Sequence, residues 1–365
     1  MWHHPVDPRE ADASAVTLLD HVAAAERAGH RRLRIAADQF YRTDDARIDD
    51  RTAAGLDGMM RMTVASVETG VRDHAARLLA ARGEPALANV MRGARGCFDR
   101  VHAAGLFRDP ALFGELFARV RLESIARALP VQLAEGPERP TMVARMAQAS
   151  DRLVAAAAAA MLVAQARRSA AGDVGAAVDL VRPLHARIAW WVAATLRETA
   201  GATAGDRMTT VDAALTESVR RAIDPGGQLV PLEVAAMRLA QAIDAQPDEL
   251  APLLGEAIGD GRLVLFVALV ARAGGLAFDR VRDLVIDTDG ARLWVVLRAL
   301  GLDRPTIARI GFALAEAEPA RDIESFADRI DTIMAVEPAD ARAALAPLAL
   351  DPDYHAAMLA LGGRA

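Results

Sequence analysis

Apolar residues recur along most of the chain at the three- and four-residue spacing of an amphipathic α-helix. The segment that follows Asp49 is typical, because five of its apolar residues would share one helical face: Leu56, Met59, Met60, Val64 and Val67. Gly70 is predicted to end that helix, since glycine is frequent just past helix C-termini. No stretch shows the strict alternation of a half-buried strand, so the pattern predicts an all-α protein.

The same spacing, bounded by Ser, Asp, Gly and Pro, predicts more than a dozen helices joined by short turns. These helices run over residues 14–29, 31–42, 49–70, 71–80, 111–129, 141–170 with a break near Ser150, 174–199, 208–224, 231–244, 248–258, 262–273, 278–286, 291–300, 304–317 and 321–336. Candidate linkers lie at 135–140 and 200–205. Such a succession forms either a helical bundle or a HEAT-like solenoid of stacked pairs.

We expect a HEAT-like repeat or solenoid array followed by a more globular C-terminal helical region. The predicted division is an N-terminal HEAT-like region at 1–136, central Ala-rich helices at 137–205 and a C-terminal helical domain at 206–365.

Two stretches carry a resemblance to a known family. In residues 67–79, a helix start with acidic and basic residues precedes a HEAT-type second helix. The second stretch is residues 257–266, and it continues in related patches at 273–276, 281–284 and 299–302. Together they resemble the alphaproteobacterial proteins grouped as domain of unknown function 2336, which are all-helical and HEAT-like. The shared motifs are packing patterns. The resemblance implies an architecture and an intracellular bacterial setting, and it brings no activity and no catalytic residue.

Composition favours a soluble helical protein of a reducing compartment. Hydrophobic residues make up 53% of the chain and aromatic residues only 4%, so the core is built mainly of Ala, Leu and Val. The single cysteine, Cys97, cannot form an internal disulfide, which favours the cytoplasm. The start of the chain has no signal-peptide pattern. The apolar stretch 153–166 is shorter than the roughly 20 residues of a membrane span.

The choice of charged residues excludes several kinds of chemistry. All 43 Lys+Arg residues are arginine, so the chain has no lysine for a Schiff base, a P-loop or a kinase-type ATP site. Residues 1–170 carry 24 Arg and 21 acidic residues (net +3), whereas residues 171–365 carry 19 Arg and 28 acidic residues (net −9). This distribution argues against nucleic-acid binding along the whole chain and leaves an acidic C-terminal surface for a basic partner.

Two groups of residues are candidates for binding a partner protein. Trp190 and Trp191 are adjacent, so on a helix they point about 100° apart. One is predicted to pack inside, and the other to lie in a contact surface as a binding anchor. Arg31, Arg32 and Arg34 form a basic cluster that suits carboxylate or phosphate recognition, with a solvated helix face as the alternative.

His185 supports an alternative function, because phosphotransfer proteins expose a histidine on a helical bundle. The glycine and lysine that typically follow such a histidine are missing here. A partly buried, structurally satisfied histidine is the other interpretation of this position.

A metal-dependent helical enzyme is the third hypothesis. Asp44, Asp45 and Asp49 lie in the acidic run 44–50, and several carboxylates are what Mg²⁺ requires. Asp283, with Asp287 and Asp289, is the nearest candidate for the facing cluster. The simpler interpretation is a loop whose aspartates cap the following helix.

Asp99 and His102 have the spacing of a helical metal half-site, with Cys97 nearby, but no second half-site is evident. We therefore expect no metal, no cofactor and no catalytic residue. The sequence predicts a non-catalytic, cytoplasmic interaction, scaffold or regulatory adaptor protein that binds another protein. It predicts no membrane span and no nucleic-acid partner, and self-association is left open.

Overall fold

The computed structural model describes residues 16–22, 49–130, 140–170, 180–224 and 230–351, together with 354, 357, 358 and 361. Within those ranges the chain forms sixteen bounded α-helices and three short 3-10 helices, and it contains no strand. The all-α class predicted from the sequence is confirmed.

The first eight helices are α1 Asp50–Ala81, α2 Pro85–Gly93, α3 Cys97–Ala103, α4 Pro110–Ala128, α5 Met142–Met146, α6 Arg152–Ala170, α7 Arg182–Ala204 and α8 Met208–Ile223. The other eight are α9 Leu232–Ile243, α10 Pro247–Gly259, α11 Leu263–Gly274, α12 Phe278–Ile286, α13 Ala291–Ala299, α14 Arg304–Ala317, α15 Ile323–Ala335 and α16 Pro338–Leu345. The 3-10 helices are Leu106–Arg108, Gly205–Arg207 and Ala346–Ala349.

The chain divides into two compact units whose segments alternate along the sequence. Unit A contains the described residues of 37–120 and 163–232, and unit B contains those of 1–36, 121–162 and 233–365. Two boundaries fall inside α4 and α6. The three consecutive regions proposed from the sequence do not follow these boundaries, and that division remains a prediction.

Unit A is organised around α1, which packs against α2, α3, α7 and α8. Asp49 caps α1, since its carboxylate accepts hydrogen bonds from the backbone N–H and the hydroxyl of Thr52 at 2.8 and 2.7 Å. The prediction that Gly70 ends this helix is wrong, because α1 continues to Ala81. A Cβ at Gly70 would meet nothing within 4 Å, and the buried stripe continues through Val67, Val71 and Ala75. The continuous apolar stripe outweighs the intrinsic cost of one exposed glycine.

Two further boundaries correct the sequence prediction. The candidate linker 200–205 is wrong, because α7 continues to Ala204 and buries Ala200 and Ala204. The helix expected from 174 begins instead at Arg182, with Pro183 in its first turn, where a missing N–H costs little. The break near Ser150 is confirmed between α5 and α6. Most of the other candidate linker, 135–140, lies outside the described residues.

In unit B, α13 is central and contacts α11, α12, α14, α15 and α16. Its residues are almost entirely buried, as are those of α11.

In unit A, α1 packs against α7 and α8, which follow much later in the chain. In a solenoid, by contrast, each helix pair contacts mainly its sequence neighbours. The HEAT-like or solenoid arrangement therefore remains a prediction.

Candidate functional site

Trp190 and Trp191 differ in exposure on α7. Trp190 is 44% exposed and Trp191 is half-buried, while Leu184 and Ile188 on the inner face are buried. The helix turns its Leu and Ile stripe into unit A, and this places the indole of Trp190 on the solvent side. An exposed tryptophan is costly to leave in water and is a frequent anchor of protein interfaces.

Two arginines on the same side of α7 pair with aspartates outside this helix. Arg187, one turn before Trp190, donates to Asp109 at 2.5 Å. Arg197 donates to both carboxylate oxygens of Asp212 at 2.6 and 3.3 Å. The Trp190 face, defined here as Arg187, Trp190, Ala194 and Arg197, thus has an apolar centre between two neutralised ion pairs. Protein interfaces share this arrangement of an apolar centre and a polar rim.

The other predicted partner residues, Arg31, Arg32 and Arg34, lie outside the described residues. The structure therefore does not bring them together with Trp190 or Trp191. Their role in partner binding stays a prediction.

His185 is half-buried near the start of α7. Burial lowers the pKa of its imidazole, so the ring stays neutral at pH 7. A phosphoacceptor histidine must be accessible to its phosphodonor, and this position gives the phosphotransfer hypothesis no support.

The acidic run 44–50 is described only from Asp49 onwards, so Asp44 and Asp45 lie outside the described residues. Both carboxylate oxygens of Asp49 accept hydrogen bonds from Thr52, which is the capping role that the simpler interpretation expected.

Two aspartates of the second acidic cluster pair with arginine, and one of them also hydrogen-bonds to His21. Asp287 pairs with Arg292 at 2.9 Å. Asp289 pairs with His21 at 2.8 Å and with Arg329 at 3.1 Å. Burial alone would raise the pKa of Asp289, but the hydrogen bonds from its two partners hold this pKa below the usual value. The described part of the chain contains no group of three or more His, Cys, Asp or Glu residues that could hold a metal ion.

Cys97, Asp99 and His102 do not converge. The thiol of Cys97 is buried, whereas Asp99 and His102 are exposed, and the His102 ring stacks on Phe98 at 5.7 Å between centroids. Burial, with a contribution from Glu68, raises the pKa of the Cys97 thiol to about 12. A nucleophilic cysteine needs the opposite shift, so this thiol is inert at pH 7.

Unit A contains a serine–histidine pair that the sequence did not indicate, because its two members are far apart in the chain. His74 Nδ1 lies 3.0 Å from Ser218 Oγ. The hydroxyl of Ser218 donates to the carbonyl oxygen of Ala214 at 2.7 Å, and Ser218 is buried. The hydroxyl therefore accepts the imidazole N–H, and no substrate can reach it. The pair is structural.

Unit B contains a cavity of about 480 Å³ that no sequence motif indicated. It is lined by Thr288, Asp289, Trp294, Gly311, Ala315, Ala320, Arg321, Asp322, Ser325, Phe326 and Arg329, and is called here the Arg321 cavity. The indole of Trp294 lies 4.7 Å from the ring of Phe326, between centroids. Neither Trp294 nor Arg321 stands in a recognisable pattern, and only the fold brings them together.

Arg321 is the unusual residue of this cavity, because it is only 6% exposed. Its Nη2 donates to the carbonyl oxygen of Val285. Its Nε and Nη1 are buried and have no hydrogen-bond partner among the described residues. Burial lowers the pKa of Arg321 to about 10, although the charges of Glu318 and Asp287 oppose this shift. The guanidinium is still charged at pH 7.

No helix in the described ranges combines the length and the apolar character that crossing a membrane requires. The chain matches no protein-family model, and no curated protein or solved structure is significantly similar to it. The resemblance to domain of unknown function 2336 therefore stays a hypothesis.

Proposed function

We propose that this chain is a non-catalytic interaction protein, a scaffold or regulatory adaptor, which binds another protein through the Trp190 face. The observation that carries the proposal is the 44% exposure of Trp190 between two ion pairs of α7. An indole in that position buries a large apolar area when a partner covers it, and the flanking pairs supply a polar rim.

The chemistry of the candidate enzyme residues also supports a non-catalytic role. Cys97 has a raised thiol pKa, Ser218 donates to a backbone carbonyl, and His185 is half-buried. Asp287 and Asp289 are paired with positively charged side chains. The single cysteine is buried, and we place the protein in the cytoplasm as part of the same proposal.

The proposal is tested by a pull-down from bacterial lysate with the purified full chain as bait. Wild type is compared with Trp190→Ala and with Leu153→Ala, which removes a 75% exposed apolar side chain from α6 in unit B. Circular dichroism must first show that both variants fold.

A protein retained by wild type and by Leu153→Ala, but lost with Trp190→Ala, supports the proposed surface. Equal retention by all three baits contradicts it. Size-exclusion chromatography with light scattering distinguishes self-association, since a dimer that dissociates in Trp190→Ala identifies a second copy as the partner.

A further inference from the structure

We draw no further inference here: the strongest candidate, the exposed apolar helical face that Tyr354, Ala357, Met358 and Leu361 form after the last 3-10 helix, carries no proposal because nothing in the structure shows what covers it.

Discussion

Replacement of Gly290 by alanine tests how the Trp294 side of the Arg321 cavity is built. Gly290 precedes α13 with φ +68°, in the left-handed region that glycine adopts without strain. A Cβ at this position would lie 2.9 Å from three atoms of the Trp294 indole. Gly290→Ala therefore combines a backbone penalty with a steric clash against a buried ring.

The two contributions can be separated with Gly301→Ala, at the other end of α13. Gly301 has φ +78°, but a Cβ there would meet nothing within 4 Å. The backbone penalty, about 1–2 kcal/mol, applies to both variants. Overpacking against the indole costs about 1–3 kcal/mol more and applies only to Gly290→Ala. The gain from a less flexible unfolded chain is common to both and cancels in the comparison.

The assay is urea denaturation followed by far-ultraviolet circular dichroism, with the transition midpoint and slope compared among wild type and the two variants. Gly290→Ala is expected to lower the free energy of unfolding by about 1–3 kcal/mol more than Gly301→Ala. Equal destabilisation by the two substitutions would refute the reasoning, because it would mean that the Trp294 ring does not occupy the space beside Gly290.

Four further predictions follow from individual side chains. Gly70→Ala should raise the free energy of unfolding by up to about 1 kcal/mol, because it replaces an exposed mid-helix glycine; an unchanged or lower urea midpoint would contradict a continuous α1. Cys97 should react with a thiol reagent at pH 7 only as fast as the protein unfolds, since burial raises its pKa to about 12; rapid labelling of folded protein would show an accessible thiolate. Arg321→Met should leave stability unchanged or raise it by about 1–4 kcal/mol at neutral pH. The pKa of Arg321 in the folded state, about 10, lies below the ordinary value of an arginine, so its buried charge disfavours folding at any lower pH. A clear drop in the melting temperature of Arg321→Met would show instead that this arginine stabilises the fold. Trp190→Ala should change the free energy of unfolding by no more than about 0.5 kcal/mol, because Trp190 is exposed, whereas Ile188→Ala should lower it by about 2–5 kcal/mol, because Ile188 is buried. Comparable urea midpoints for the two variants would contradict the assigned orientation of α7.

The helices were predictable where local signals agree with one another. α12 and α14 begin and end where predicted, since Pro, Gly and Asp residues bound a clear apolar stripe there. The errors lie where tertiary packing overrides a local signal. Gly70 continues α1 because its neighbours are buried, and α7 extends to Ala204 because its small residues pack against the core.

The candidate sites were less predictable, because their properties depend on residues far apart in the sequence. The adjacency of Trp190 and Trp191 was enough to predict different environments on one helix. Nothing in the sequence indicated that Arg321 would be buried with N–H groups that lack partners among the described residues. The aspartates at 287 and 289 suggested a metal cluster, and only the fold showed that arginines neutralise them.

The affinity of the recovered partner for wild type and for Trp190→Ala, measured by isothermal titration calorimetry with purified proteins, tests the proposed interaction function most directly. If Trp190 is the anchor of the interface, its removal costs about 2 kcal/mol or more, equivalent to roughly a thirtyfold increase in Kd. Leu153→Ala should bind as wild type does. An unchanged Kd for a folded Trp190→Ala variant would contradict the account, because the exposed indole would then contribute nothing to partner binding.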